Sequence, residues 1–162
     1  MKRVLIFGNS GSGKSTLARK LCSAGNLAHL DLDTLAWLPQ MPPRRRPLDE
    51  SIADILAFIH DHDQWVIEGC YADLLAAVTG HASELIFLDL PVEDCVSNAR
   101  NRPWEPHKYP SEEAQNANLE MLIDWIRQYD SRSDTFSKAA HQALYEGFTG
   151  PKTRLTSNRR DA

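Results

Sequence analysis

The stretch Gly8-Asn9-Ser10-Gly11-Ser12-Gly13-Lys14-Ser15 decides how the rest of this chain is read. It matches the pattern G-x-x-x-x-G-K-S/T at every fixed position. Before it runs Val4-Leu5-Ile6-Phe7, an apolar stretch of strand length, so residues 3–7 are predicted to form a strand. After it, Leu17, Ala18, Leu21 and Cys22 recur at helical spacing, which predicts a helix over residues 14–24 ended by Gly25-Asn26. The glycines let the backbone curl until successive N–H groups face one anion. The start of the following helix adds free N–H donors and a partial positive charge. Lys14 supplies a point charge for terminal phosphates, Ser15 a hydroxyl for Mg²⁺, and Thr16 a second hydroxyl near the α-phosphate. Gly8, Ser10, Gly11, Ser12, Gly13, Lys14, Ser15 and Thr16 are therefore expected to hold the phosphates of a nucleotide. A dinucleotide-binding G-x-G-x-x-G does not fit, because Gly11-Ser12-Gly13 is followed by Lys14-Ser15-Thr16 without a third glycine.

Outward from this loop, strands and helices alternate. Strands are predicted over 28–33, 64–68, 84–90 and 152–156. Helices are predicted from Asp49 or Ser51 to about His60, over 72–78, after Pro91, from Ser111 to about Tyr129, and over about 134–146. Met121 and Trp125 of the long helix read as core or cover, and Asn158–Ala162 as a frayed tail. Proline-rich loops occupy 39–47 and 102–110. The alternation implies a mostly parallel sheet covered by helices on both faces, an α/β fold in three layers.

The composition suits one ordinary domain over residues 1–162: 42% hydrophobic and 25% charged, with a formal charge of −4. That balance gives no general pull toward nucleic acid or an anionic membrane. No run approaches the ~20 apolar residues of a membrane span, and the apolar start is too short for a signal peptide, so a cytoplasmic protein is expected. Three separated cysteines, Cys22, Cys70 and Cys95, argue against a disulfide framework or a zinc site. His60-Asp61-His62-Asp63 reads as a solvated helix end, and Cys70 as a small filler. No N-K-x-D signature of guanine-specific GTPases is present. The fourth predicted strand ends Phe87-Leu88-Asp89-Leu90, without the Asp-Glu of many ATPases.

With these residues in view, the chain resembles the small P-loop kinases, the group of adenylate kinase and shikimate kinase, over nearly its whole length. The phosphate loop is the Walker A element of that group. The chain is similar most of all to the branch labelled topology modulation or adenylate-kinase-like proteins. The likeness lies in His29-Leu30-Asp31-Leu32-Asp33-Thr34-Leu35-Ala36-Trp37, in Trp65-Val66-Ile67-Glu68-Gly69-Cys70-Tyr71, and in the stretch from Tyr129 through Arg132 and Ser137 to Gly150-Pro151-Lys152. The resemblance implies a five-stranded parallel sheet of order 2-3-1-4-5, an acceptor-binding insertion over about 36–62 and a lid over about 100–132. It also implies that Asp31 and Asp33 stand where shikimate kinase has D-x-D: Asp31 then helps hold Mg²⁺ and Asp33 orients the acceptor. Glu68-Gly69 resembles the Asp-Gly turn of adenylate kinase, an acid near the metal. There the chain departs from its relatives, since Cys70-Tyr71-Ala72 stands where adenylate kinase has Pro-Arg.

Phosphoryl transfer needs positive charge around the moving group. Arg100, Arg102 and Arg132 lie where relatives carry lid arginines, while Arg44, Arg45 and Arg46 lie in the acceptor-binding region of relatives, where one of them could clamp an anionic acceptor bidentately though each taken singly reads as a solvated surface group. Trp37 reads as a packing lid, and Thr156-Ser157-Asn158 as the turn where relatives cradle the base. The expectation is ATP- and Mg²⁺-dependent phosphoryl transfer to a small-molecule acceptor, a nucleoside monophosphate slightly ahead of a sugar or cyclic alcohol, by a monomer or weak dimer. The competing readings are a nucleotide-binding regulator of DNA topology without acceptor dependence, and a plain NTPase that no acceptor stimulates.

Overall fold

The computed structural model describes residues 1–40 and 42–158. Strands β1 (Arg3–Gly8), β2 (Ala28–Asp31), β3 (Trp65–Gly69), β4 (Glu84–Leu88) and β5 (Lys152–Leu155) form one sheet of order β2-β3-β1-β4-β5. Every pairing in it is parallel. The helices are α1 (Lys14–Gly25), α2 (Asp33–Ala36), α3 (Leu48–Asp61), α4 (Ala72–Val78), α5 (Val92–Arg100), α6 (Glu112–Ala117), α7 (Leu119–Arg127) and α8 (Lys138–Gly147). This is the expected three-layer α/β/α P-loop fold with the expected strand order. No helix among the described residues is long and apolar enough to cross a membrane.

Strand periodicity sorts the core into two halves. Successive side chains of β1 point to opposite faces, so a strand covered on both sides must be apolar throughout. Val4 and Ile6 join Leu17 and Ala18 of α1, Cys95 and Val96 of α5, and Ile123 and Ile126 of α7. Leu5 and Phe7 join Leu32, Ile55 of α3, and Leu74 and Leu75 of α4, with Leu144 of α8 packed at the margin. The register then sets the site. Phe7 pairs with Gly69 and Phe87, and Asp31 pairs with Glu68, so β1, β2, β3 and β4 present their carboxyl ends together. The crevice beyond these ends, where the order reverses around β1, is the place an open parallel sheet offers a ligand.

Several local expectations are corrected. Helix α3 starts at Leu48 behind Pro47 with no side-chain cap. Ser51 is buried inside it and donates to the Leu35 carbonyl at 2.8 Å, and Asp49 accepts only from the adjacent Glu50 N–H. Met121, expected as core or cover, is 71% exposed, and Leu56 of α3 is exposed as well. The helix predicted from Ser111 does begin with Ser111 accepting from the Ala114 N–H. It breaks at Asn118 into α6 and α7, where the Asn118 amide donates to the Tyr109 hydroxyl. The last helix starts at Lys138 rather than near Asp134, because Ser137 caps it and Asp134 instead binds Arg132 and the Phe136 N–H. Strand β4 ends at Leu88, two residues early. Residues 159–162 of the expected tail, and Met41 of the first proline-rich loop, lie outside the described residues. Asn158 is no loose end, since its side chain bonds to Ser12 and Asn98.

Candidate active site

The phosphate loop is built by φ values that L side chains avoid. Gly11 has φ 77° and Gly13 φ 92°. An added Cβ would lie 2.5 Å from the Cys95 carbonyl at Gly11 and 2.8 Å from the Asn158 amide at Gly13. Asparagine amides hold the loop from behind. Asn98 donates to the Gly11 carbonyl at 2.8 Å, Asn158 donates to the Ser12 carbonyl at 3.0 Å, and Asn9 donates to the Ile126 carbonyl at 3.1 Å. A trans peptide points its C=O and N–H in opposite directions, so anchoring the Ser12 carbonyl turns the Gly13 N–H the other way. Lys14 folds over the loop, donating to the Asn9 carbonyl at 2.7 Å and to that of Gly8 at 3.3 Å.

Ser10, Gly11, Gly13, Lys14, Ser15 and Thr16 line a cleft of about 730 Å³. Gly8 and Ser12 pack beneath the loop instead: Gly8 lies against the Leu88 carbonyl, and the Ser12 hydroxyl is buried without a hydrogen-bond partner.

Three carboxylates face this loop. Glu68, buried at the end of β3, accepts from the Ser15 hydroxyl at 2.9 Å and bonds to His29 Nε2 at 2.7 Å. Asp31 ends β2 and accepts from the Asp33 N–H at 2.9 Å. Asp33 opens the single turn of α2, where the Tyr71 hydroxyl donates to its Oδ1 and Lys108 to its Oδ2 at 3.1 Å. Tyr71 in turn accepts from Trp37 Nε1 at 2.8 Å.

The two aspartates are driven apart in acidity. Desolvation, then repulsion from Asp33 and Glu68, raises Asp31 above the ordinary carboxylate range. Desolvation also opposes charge on Asp33, but the Lys108 ammonium and the Tyr71 hydroxyl outweigh it and hold Asp33 below that range. Asp33 is thus the carboxylate kept ionised, as an orienting group or base must be.

The structure sorts the expected arginines. Arg102 lines the cleft and pairs with Glu105 at 3.3 Å. Arg100 does not line it: it sits 200° round α5 from Asn98, at 100° per residue, and lies 3.7 Å from Glu120 of α7. Arg132 is also away from the cleft lining, stacked 3.6 Å over Trp125 and paired with Asp134 at 2.6 Å. None of the described residues 36–62 lines the cleft. Arg45 and Arg46 are not solvated groups. Arg45 binds Asp73 at 3.3 Å and lies over the Tyr71 ring, and Arg46 binds Asp54 at 2.9 Å. His62 bonds to the Phe58 carbonyl at the end of α3. Among the described residues, no three His, Cys, Asp or Glu side chains form a cation cage.

Sequence reasoning missed Lys108, which closes the cleft from the second proline-rich loop, and the asparagines behind the phosphate loop. A lysine 75 positions from its aspartate leaves no local signal. Tyr71 had one, since it stands two residues after the Glu68-Gly69 turn.

The turn holding Cys70 is fixed by a buried chain. The Cys70 carbonyl can only accept, so His141 Nε2 carries the proton of their 2.8 Å bond, and Nδ1 accepts from the Tyr129 hydroxyl at 2.7 Å. Burial lowers the His141 pKa to about 4, and burial pushes the Cys70 thiol up to about 12. Neutral His141 leaves stability at its full value above the unfolded histidine pKa of about 6.5. As pH falls below that value the unfolded chain takes up the proton first, and stability declines until about pH 4. Between about pH 7.5 and about pH 5 this amounts to about 2 kcal/mol. Urea unfolding at both pH values should show that loss, and His141→Asn should flatten it; an equal slope in the variant would refute the assignment.

No family model matches the chain. It is similar to the uncharacterized protein YqaC of Bacillus subtilis, at 23% identity across 95% of this chain and 88% of that protein. It is also similar to a cytidylate kinase of Haloarcula marismortui, at 28% identity across 83% of this chain and 76% of that protein. The crystal structure of a sugar kinase from a Janibacter species, unliganded, matches with a TM-score of 0.54 at 14% identity. That match spans 99% of this chain and 87% of the other, and it shows a shared kinase-like P-loop fold.

Proposed function

We propose that this protein is an ATP- and Mg²⁺-dependent kinase of a small molecule. One observation carries the reading: the phosphate loop with Lys14 and the aspartates Asp31 and Asp33 line the same cleft. A binding module needs the first half, whereas transfer needs both. The relative named a cytidylate kinase and the fold neighbour named a sugar kinase support phosphoryl transfer at that coarse level.

The donor set fits a nucleotide polyphosphate and Mg²⁺. Left-handed glycines, the start of α1 and the Lys14 ammonium offer donors to a polyphosphate. The Ser15 hydroxyl beside Glu68, with Asp31 nearby, is an all-oxygen set suited to Mg²⁺, which takes one or two protein ligands together with substrate phosphates rather than a protein cage. When bound, the ion neutralises charge developing on the phosphates. Lys14, Arg102 and Lys108 then surround the transferred group, Asp33 orients the acceptor hydroxyl, and the segment from Arg102 to Tyr109 excludes water.

The test is ADP formation from Mg-ATP against a panel of nucleosides, nucleotides, sugars and hydroxy acids, with Lys14→Ala as the blank. One acceptor should stimulate ADP release, and Lys14→Ala should lose that stimulation by about 10²–10³-fold. ADP release that no acceptor changes would refute transfer.

A further inference from the structure

The cleft lining carries both signs of charge. Lys14, Arg19 and Lys20 line it on the phosphate loop and the helix that follows. Beside Asp33 three carboxylates share one ammonium: Lys108 Nζ lies 3.1 Å from Asp33, 3.7 Å from Asp31 and 3.8 Å from Glu105. Arg102 is the remaining cation there, and it is paired with Glu105. The arginine-rich loop that could have met an anion is committed elsewhere. Arg45 is held by Asp73 and stacked on Tyr71 and Phe136, Arg46 is held by Asp54 and the Leu35 carbonyl, and Arg44 is exposed outside the cleft.

A bound anion needs donors that are not already neutralised, and binding like charges together disfavours the wrong partner. An acceptor bearing its own phosphate would meet Asp31, Asp33 and Glu105 around Lys108, with no uncommitted guanidinium among the described residues beside them. An acceptor bearing only hydroxyls would meet acceptors for its O–H groups, and one bearing an ammonium would find the carboxylates that Lys108 now satisfies.

We propose that the acceptor is a hydroxyl compound without phosphate or carboxylate of its own, uncharged or amine-bearing, and not a nucleoside monophosphate. The inference rests on the kinase reading above and names the substrate class of the same cleft. In the reaction the acceptor oxygen forms a bond to the γ-phosphorus of ATP. The bond from that phosphorus to the β,γ-bridging oxygen breaks, and its electron pair leaves on ADP. The hydroxyl proton passes to the Asp33 carboxylate and then to water.

The experiment uses pairs that differ by one phosphate: ribose and ribose 5-phosphate, glucosamine and glucosamine 6-phosphate, cytidine and cytidine monophosphate. Product formation is followed by phosphorus NMR. Binding is followed by calorimetry in the presence of Mg²⁺ and a non-hydrolysable ATP analogue. The unphosphorylated member of at least one pair should bind and turn over at least about tenfold better, a margin of about 1.4 kcal/mol. Glu105→Gln should narrow that margin by weakening the repulsion. A phosphorylated member favoured in every active pair overturns the inference and leaves the kinase reading standing. Binding of the ATP analogue with no response to any pair also overturns the inference. Failure of the analogue to bind overturns the kinase reading itself.

Discussion

Asp33→Asn is expected to lower kcat for acceptor phosphorylation by about 10²–10⁴-fold, the usual contribution of a positioned proton acceptor. The substitution keeps the shape of the side chain, and its amide oxygen can still accept from Tyr71. What is lost is the negative charge, and the new amide NH₂ would face the Lys108 ammonium, donor against donor. Because Asp33 is 41% exposed, losing the ion pair costs at most about 1 kcal/mol of stability. The KM for ATP should stay close to its original value, because the Asp33 carboxylate bonds to Tyr71 and Lys108 rather than to the phosphate loop. Steady-state kinetics with saturating acceptor and a parallel thermal melt separate these effects. A folded variant with unchanged kcat would remove Asp33 from the chemistry.

Gly11→Ala is expected to damage fold and binding together. The residue sits at φ 77°, a conformation that costs a non-glycine residue about 1–3 kcal/mol. Its Cβ would also lie 2.5 Å from the Cys95 backbone carbonyl on α5, which cannot rotate away, so relieving the overlap costs a further 1–3 kcal/mol or so. The combined loss of about 2–6 kcal/mol corresponds to roughly 5–20 °C in Tm for a chain of this size. Calorimetric melting tests it, with Gly80→Ala as the control, since no atom lies within 4 Å of the Cβ added there. ATP-analogue affinity should fall at least about tenfold in Gly11→Ala and not in the control. Equal melting of the two variants would contradict the packing argument.

How far the sequence could be read follows the range of the interactions involved. The strand Arg3–Gly8, the loop and the helix behind it are contiguous, and their pattern is dictated by backbone sterics within a dozen residues. The inner strands β1, β3 and β4 were legible for a similar reason, because a strand buried on both faces is apolar along most of its length. Helix starts were less legible. Ser111 caps as read, but Ser51 has the same chemistry and is spent on the Leu35 carbonyl, sixteen residues away. Nothing in a cap motif distinguishes these uses until the partner arrives.

The site divides in the same way. Glycine spacing, the lysine and serine at the start of α1, and the acids at the ends of β2 and β3 all belong to positions that the parallel alternation brings to one edge. Which cations reach that edge depends on helical phase and on competition between acids. Arg100 lost its place through a 200° rotation from Asn98, Arg132 to Trp125 and Asp134, and Arg45 to Asp73 and Tyr71. Lys108 gained one because its loop folds back over α2. Sheet, phosphate loop and acidic edge follow from local spacing and burial, which a chain carries in its order of residues. The choice of Arg102 and Lys108 over Arg100, Arg132 and Arg45 follows from pairings between residues remote in the chain, which come into being only when the layers pack.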